Sequence, residues 1–191
     1  MRQRYHLFTL LLSVSLFGTG CVHQIHISPP TGDVTTAPLP ATVQLDMPFL
    51  AIEGADHMPG IPLLEWPVKN LRQTTLDYFI QRRTFTTIGI EPADIRLIIK
   101  AWLTLRAPDR YLYRVHLEAD LLFSGATPLK TYMAEGEALG SSVRWTTASD
   151  QEPISTATAQ ALHNLASQIE QDRDVFIKRN IQQWRSSHFP P

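Results

Sequence analysis

The chain has 191 residues, 43% of them apolar and 18% charged, the balance of one globular domain with an N-terminal appendage. Its 17 basic and 18 acidic side chains leave a net charge of −1, which excludes a basic nucleic-acid face and a polybasic grip on anionic lipid. A single cysteine excludes an internal disulfide, and in an exported protein a leftover thiol calls for an explanation.

The N-terminus supplies one. Arg2 and Arg4 precede an apolar run from Leu7 to Phe17, and Gly18-Thr19-Gly20 leads directly into Cys21. That is the layout of a secretory leader over residues 1–20; the run is too short for a bilayer core, which takes about 20 residues. "LFGTGC" resembles the bacterial lipoprotein box: Gly20 and Cys21 match its last two positions, and Gly18 stands where leucine is usual. The resemblance implies cleavage between Gly20 and Cys21, a diacylglyceryl thioether on the Cys21 sulfur and an N-acyl chain on its amine. A thiolate is the nucleophile suited to that alkylation. One acyl chain binds a bilayer only marginally, whereas three anchor it firmly. Val22, and not aspartate, follows the cysteine; by the sorting rule of such lipoproteins this implies the outer membrane, with the domain facing the periplasm. No other cofactor is expected.

Residues 21–42 hold Pro29, Pro30, Pro38 and Pro40. Prolines at this density favour extended chain, so the stretch is expected to be a solvated tether. The domain is expected over residues 43–191. Val43, Leu45 and Met47 alternate in a first strand over 43–52, where Pro48 marks an edge or a bulge. Residues 54–62 read as a loop. Pro67 opens a helix over 67–83, with Leu71, Thr75, Leu76, Phe79 and Ile80 on one face. A short strand follows around Thr84 to Ile90.

The strongest pattern runs from Asp94 to Phe123. Ile95, Leu97, Ile99, Ala101, Leu103 and Leu105 alternate with polar residues; Pro108-Asp109 marks a turn; Tyr113, Val115, Leu117, Ala119 and Leu121 alternate again. Period two over this length predicts a long antiparallel hairpin. After a turn at 124–128, a third strand covers 129–140, its small Ala134, Gly136 and Ala138 leaving room for a close helix. Ser149 and Glu152 form a capping-box pattern, and Ile154, Ala157, Ala161, Leu165 and Ile169 mark one face of a helix to about Gln171. Phe176, Ile177, Ile181 and Trp184 continue or restart it. The order predicts an α+β fold: an antiparallel sheet of three to five strands with a long hairpin, packed on one face by two helices.

"LASQIEQDRDVFIKRN", with Ile169, Asp172, Phe176, Ile177 and Asn180, resembles the closing helix of YajG-type bacterial envelope lipoproteins, and "LRQTTLDYFIQRRTFTTIG" resembles their helix leading to a short strand. The element order is also similar, more distantly, to auxiliary lipoproteins of ABC-type lipid transport systems. The first resemblance implies an envelope accessory protein with an unidentified protein partner; the second implies an auxiliary lipid-binding component. Neither implies a catalytic residue.

Reading the side chains for chemistry points the same way. His23 and His26 lie three apart, but a metal site needs three or four converging ligands, so none is expected. His116, Glu118 and Asp120 share one strand face, the usual wet side of a sheet, and no nucleophile motif accompanies them; no catalytic residue is assigned. Ile98 and Trp102 stand on an otherwise polar strand face. Such faces are commonly covered, and a covering helix or strand is the expected arrangement; left open, the pair would form an interaction patch for a partner or lipid.

Overall fold

The computed structural model describes residues 22–54, 63–89, 93–106, 110–123, 128–142 and 147–178. The leader, Gly20 and Cys21, the expected turn at Pro108-Asp109, most of the loop at 54–62, and Asn180, Ile181 and Trp184 lie outside the described residues.

The elements are β1 (Val22–Gln24), β2 (Leu39–Gly54), β3 (Leu63–Glu65), α1 (Val68–Arg82), β4 (Phe85–Ile88), β5 (Ile95–Arg106), β6 (Leu112–Phe123), β7 (Lys130–Leu139) and α2 (Thr147–Gln171). A further helical turn occupies residues 173–178. The class is α+β as the sequence predicts. The five-stranded sheet has the order β4-β2-β5-β6-β7, and a small parallel pair, β1 with β3, lies apart from it. The hairpin is present in full, in unbroken register from Ile95↔Phe123 to Arg106↔Leu112. Its inward residues are buried, among them Leu97, Ile99, Leu103, Val115 and Leu117.

The sheet is mixed and not purely antiparallel, because β2 runs parallel to both its neighbours. α1 makes the crossover between β2 and β4 that a parallel pair requires. The chain then passes to the other side of β2: Val43 is opposite Ile88 on one side and Ile95 on the other. Gly89, at φ 86°, makes the departure from β4, and its N–H donates to the Val43 carbonyl at 2.8 Å. A side chain would be strained in that conformation. Pro48 produces the expected irregularity, a register shift between Asp46 and Phe49 that reverses which β2 residues face inward.

Residues 22–38 are not a solvated tether. They lie along the helices, and β2 starts at Leu39, four residues before the expected domain boundary. Ile25 and Ile27 are fully or nearly fully buried in the core. The Ile25 N–H donates to the Glu65 carbonyl at 2.8 Å. Asn70 brackets Ile27, accepting its N–H at 2.9 Å and donating to its carbonyl at 3.3 Å. Gln151 of α2 donates to the His26 carbonyl at 3.0 Å. One turn after another down α1, the strap meets Thr74, Tyr78 and Arg82: the Thr74 hydroxyl donates to the Ile27 carbonyl, Gly32 lies on the Tyr78 ring, and Thr35 N–H donates to the Arg82 carbonyl. At the far end Arg173 donates to the Ala37 carbonyl. The prolines do favour extended chain, but extended chain is also what fits a cleft and leaves carbonyls outward for side-chain donors.

α2 begins at Thr147, two residues before the expected cap. Asp150 therefore sits in the first turn, fully buried, and accepts from the Tyr113 hydroxyl at 2.5 Å. β7 supports α2 through its small residues. A Cβ added at Gly136 would collide with the Ala157 carbonyl and lie 2.6 Å from the Ala161 nitrogen. Beside this contact, Gln160, Asn164 and Gln168 form a ladder along the sheet edge: Gln160 accepts from Glu137 N–H at 3.0 Å, Asn164 donates to the Glu135 carbonyl at 2.8 Å, and Gln168 donates to the Met133 carbonyl at 2.9 Å. Four helical residues rise about 6 Å and two strand residues about 6.8 Å, so the two periods nearly match. The ladder blocks strand addition at an edge that would otherwise invite it.

Replacing Gly136 with alanine should destabilise the fold by about 3 kcal/mol, since backbone stands where the methyl would go. Urea unfolding would measure it, and a change under about 0.5 kcal/mol would mean that β7 and α2 can separate at little cost.

Candidate functional site

Both helices pack on one face of the sheet. α2 lies over β7 and β6, and α1 over β2 and β4. Among the described residues no helix or strand packs on the opposite face, where a covering element is expected over Ile98 and Trp102. Both are half-buried within the sheet's own relief. Trp102 is the centre of a row across three strands: its ring centroid is 5.4 Å from Phe49 on β2 and 5.3 Å from His116 on β6. Phe49 is 43% exposed. Two strands away, Met133 on β7 is 60% exposed, with Glu118 between it and Lys100 in the register.

Cross-strand pairs surround this apolar row. Arg96 meets Asp46 at 2.5 Å and Lys100 meets Glu118 at 2.7 Å; Arg114 bonds Glu137. Such exposed pairs add little stability, but they fix the orientation of the charges around Trp102. Glu118 and Asp120 both face Lys100 Nζ, at 2.7 and 3.6 Å, and His116 turns away from them to another strand. His116 Nδ1 contacts Glu135 at 3.0 Å, Glu118 holds Lys100, and Asp120 accepts from Thr131 at 2.6 Å. Each reaches across to a neighbouring strand, the arrangement of a solvated sheet face. Among the described residues no group of three or more His, Cys, Asp or Glu is placed to hold a metal, and no helix is long and apolar enough to cross a membrane.

Phe49 was not legible as part of this face. Counting by two from Val43 places it inward; the bulge at Pro48 turns it outward. Pro48 was the signal, since a proline inside an alternating run warns that the alternation changes phase there.

On the helix side, charge is organised as a clamp. Arg82 at the end of α1 makes a two-pronged bond to Glu170 of α2, with Nε–Oε1 and Nη2–Oε2 both 2.9 Å. Thr84 donates to the same carboxylate at 3.0 Å. The hydrogen bond to Glu170 raises the Arg82 pKa further above its ordinary value, against the opposing effect of burial. Tyr78 lies nearby, its pKa raised chiefly by burial. Arg83 then ends the helix in the left-handed region at φ 58°, a conformation more often taken by glycine or asparagine.

An internal lipid site would lie between the hairpin and α2, and that space is filled. Ile154, Ala157, Ala161, Leu165 and Ile169 are fully buried against the sheet, close enough to exclude a methyl at Gly136. The cleft between the helices is occupied by the strap. Two open depressions flank the first turns of α2. One, of about 400 Å³, is lined by Ile27, Ser28, Gln151, Glu152, Ser155 and Thr156. The other, of about 490 Å³, includes Arg110, Leu139, Gly140 and Glu152. Both are open to solvent and mix polar and apolar groups in their lining, unlike the enclosed apolar pockets that hold acyl chains.

No family model matches the chain, and no curated protein matches it. Among solved structures, protein XCC0632 of Xanthomonas campestris, of the family DUF330, shares the fold with a TM-score of 0.53 at 13% identity, over 84% of this chain and 99% of that one. A candidate lipoprotein of Caulobacter crescentus superposes with a TM-score of 0.43 at 14% identity, over 64% and 90% of the two chains. PelC of Paraburkholderia phytofirmans, solved as a dodecamer, gives 0.35 at 11% identity, over 71% and 93%. The likeness to XCC0632 establishes a shared fold.

A second ion pair ties the end of α2 to the sheet edge, between Lys130 and Asp172. Burial pushes the Asp172 carboxyl up, but the hydrogen bond and charge of Lys130 outweigh it and hold the carboxyl below its ordinary value. A carboxyl depressed in the folded state adds stability above its unfolded pKa, about 3.9, and loses it as pH falls through the lower folded value. Asp172→Asn should therefore cost about 0.5 kcal/mol at neutral pH, a small figure because Lys130 is partly solvent-screened. The difference from the parent should vanish in acid. Urea midpoints across pH would show it; a constant difference down to pH 2 would contradict the assignment.

Proposed function

We propose that this chain is an outer-membrane lipoprotein, anchored through acyl chains on Cys21, whose domain faces the periplasm and serves as a non-enzymatic binding module of the cell envelope. The leader and the small-residue run ending at Cys21 support the anchor. The charge pairs on the sheet face, each satisfied across strands, support binding over catalysis. The observation that carries the reading is the aromatic row Phe49–Trp102–His116 on a sheet face that no described element covers. An apolar centre ringed by oriented charges is the anatomy of a protein-binding patch. Ile98 lies on the same face four residues along β5, about 13 Å away at 3.3 Å per residue, with Lys100 between them. The partner is a protein of the envelope; nothing here calls for nucleic acid or a metal. The similarity of residues 165–180 to the YajG-type closing helix fits the same class.

Lipid handling by an ABC-type auxiliary protein is less well supported, because the hairpin–helix space holds side chains and the interhelical cleft holds the strap.

Cys21→Ser should move the protein from the membrane pellet to the soluble fraction and abolish labelling by radioactive palmitate. A photo-crosslinking amino acid at Trp102, in cells with Cys21 intact, should trap a discrete envelope protein, and Phe49→Ala should reduce the yield several-fold. A parent protein that takes up no palmitate label, or a Cys21→Ser variant that stays in the membrane pellet, would overturn the anchor. A Trp102 probe that traps nothing specific would overturn the patch.

A further inference from the structure

The proposed anchor and the observed strap together fix an orientation. Cys21 is one peptide unit, about 3.8 Å between Cα atoms, from Val22. Val22 is held by the parallel register Val22↔Leu63, His23↔Leu64 and Gln24↔Glu65. Chain that would have spanned tens of ångströms as a free tether, at about 3.1 Å per residue, is spent instead lying down the helices. No spacer remains between the anchor site and the folded domain.

The end of the domain that carries β1 is identifiable. α1 and α2 both start there: Asn70 and Gln151 bond the strap at His26 and Ile27, and Glu152 lines both depressions beside it. β5 ends and β6 begins at the same end, where Arg106, Leu112 and Leu139 align across the sheet. Leu139 is 63% exposed. Arg106 and Arg110 are also exposed, and Arg110 Nε donates to the Gly140 carbonyl at 3.1 Å, which holds its guanidinium beside Leu139. An exposed leucine with one guanidinium beside it and a second arginine two strands away on the same end suits the boundary where acyl chains meet phosphate headgroups. On the β2–β3 side of this end stand Glu53 and Glu65, both exposed, so the attraction is one-sided and the β5–β6–β7 corner is the part that meets lipid.

We infer that the domain stands directly on the bilayer that holds its anchor, with the strand ends bearing Arg106, Arg110 and Leu139 in contact with lipid headgroups and its strands rising away from the surface. This rests on lipidation of Cys21.

The test uses the full lipidated protein in vesicles of phosphatidylethanolamine and phosphatidylglycerol. Because the Cys21 sulfur is consumed in the thioether, an introduced cysteine is the sole labelling site. A fluorophore on Leu139→Cys should be quenched several-fold more strongly by a headgroup-attached spin label than one on Asp174→Cys, at the far end of α2. A flexible Gly-Ser insert between Cys21 and Val22 should remove most of that difference. Should labelling at residue 139 perturb the surface, Arg110→Cys gives the same reading from a neighbouring site. Equal quenching at both ends in a protein whose Cys21 is shown by mass spectrometry to be acylated overturns the orientation alone. Absence of acyl mass on Cys21 overturns the anchor, and the orientation with it.

Discussion

The seating of residues 25–38 between the two helices is the constraint on which the rest of this structure depends. Burying Ile25 and Ile27 contributes roughly 2 kcal/mol each. Ordering an extended chain costs about 1–2 kcal/mol of backbone entropy per residue, so two isoleucines alone would not hold the strap. The additional hold comes from hydrogen bonds to its main chain by Glu65, Asn70, Thr74, Arg82, Gln151 and Arg173. These donors and acceptors come from β3, from α1, from α2 and from the turn after it. The strap therefore joins two helices that otherwise meet mainly through Arg82 and Glu170. Loss of the strap would open an apolar cleft and uncouple the helix layer from β2, which the strap feeds directly.

That same constraint narrows what the molecule can bind. A cleft between two amphipathic helices over a sheet is a natural place for an acyl chain, and here the protein's own backbone occupies it. The other route into the core, between β7 and α2, is shut by contact too close for a methyl group at Gly136. Any recognition the proposed function requires is thereby displaced to the outside, and the outside is divided unequally. The β7 edge is closed by the amides of Gln160, Asn164 and Gln168. The opposite edge is capped at Leu45 by Arg72, which donates to its carbonyl at 3.2 Å. What remains broad and apolar at its centre is the sheet face around Trp102.

The hairpin and α2 were legible in the sequence because one side of each is buried without interruption. Ile95 to Leu105 and Tyr113 to Leu121 keep strict alternation; Ile154 to Ile169 keep the helical repeat. β2 was half legible. Its alternation begins at Leu39 and Ala41, but the flanking prolines masked it, and the parallel pairing depended on a crossover that no local pattern records. The strap was not legible at all. Its composition matches a solvated linker, and only the two isoleucines at alternate positions, 25 and 27, set it apart. Whether such a pair is buried depends on a cleft built by residues more than forty positions away. The apolar residues of the open sheet face were legible in part: Ile98 and Trp102 interrupt a polar face and are visible by inspection, whereas Phe49 shares that face only because the bulge at Pro48 shifts the phase of its strand.

Height above the membrane decides between partners for that patch. If the ends of β5 and β6 rest on the headgroups, Trp102 lies four residues from Arg106 along β5, about 13 Å up at 3.3 Å per residue. The apolar boundary of the bilayer lies deeper than the headgroups, so the Trp102 ring is out of its reach in that orientation. The row Phe49–Trp102–His116 instead points sideways, parallel to the membrane plane, since side chains project perpendicular to a sheet whose strands stand upright. A surface presented in this way is open to a neighbour held at the same membrane. Such a neighbour needs only modest affinity, because confinement to a common surface raises the effective concentration of each for the other. Paired charges around the apolar centre would then select the orientation of approach more than the strength of binding. In the proposed orientation, an anchor at Cys21 with no spacer would hold the patch at one height and one tilt, so that recognition would be a matter of lateral encounter.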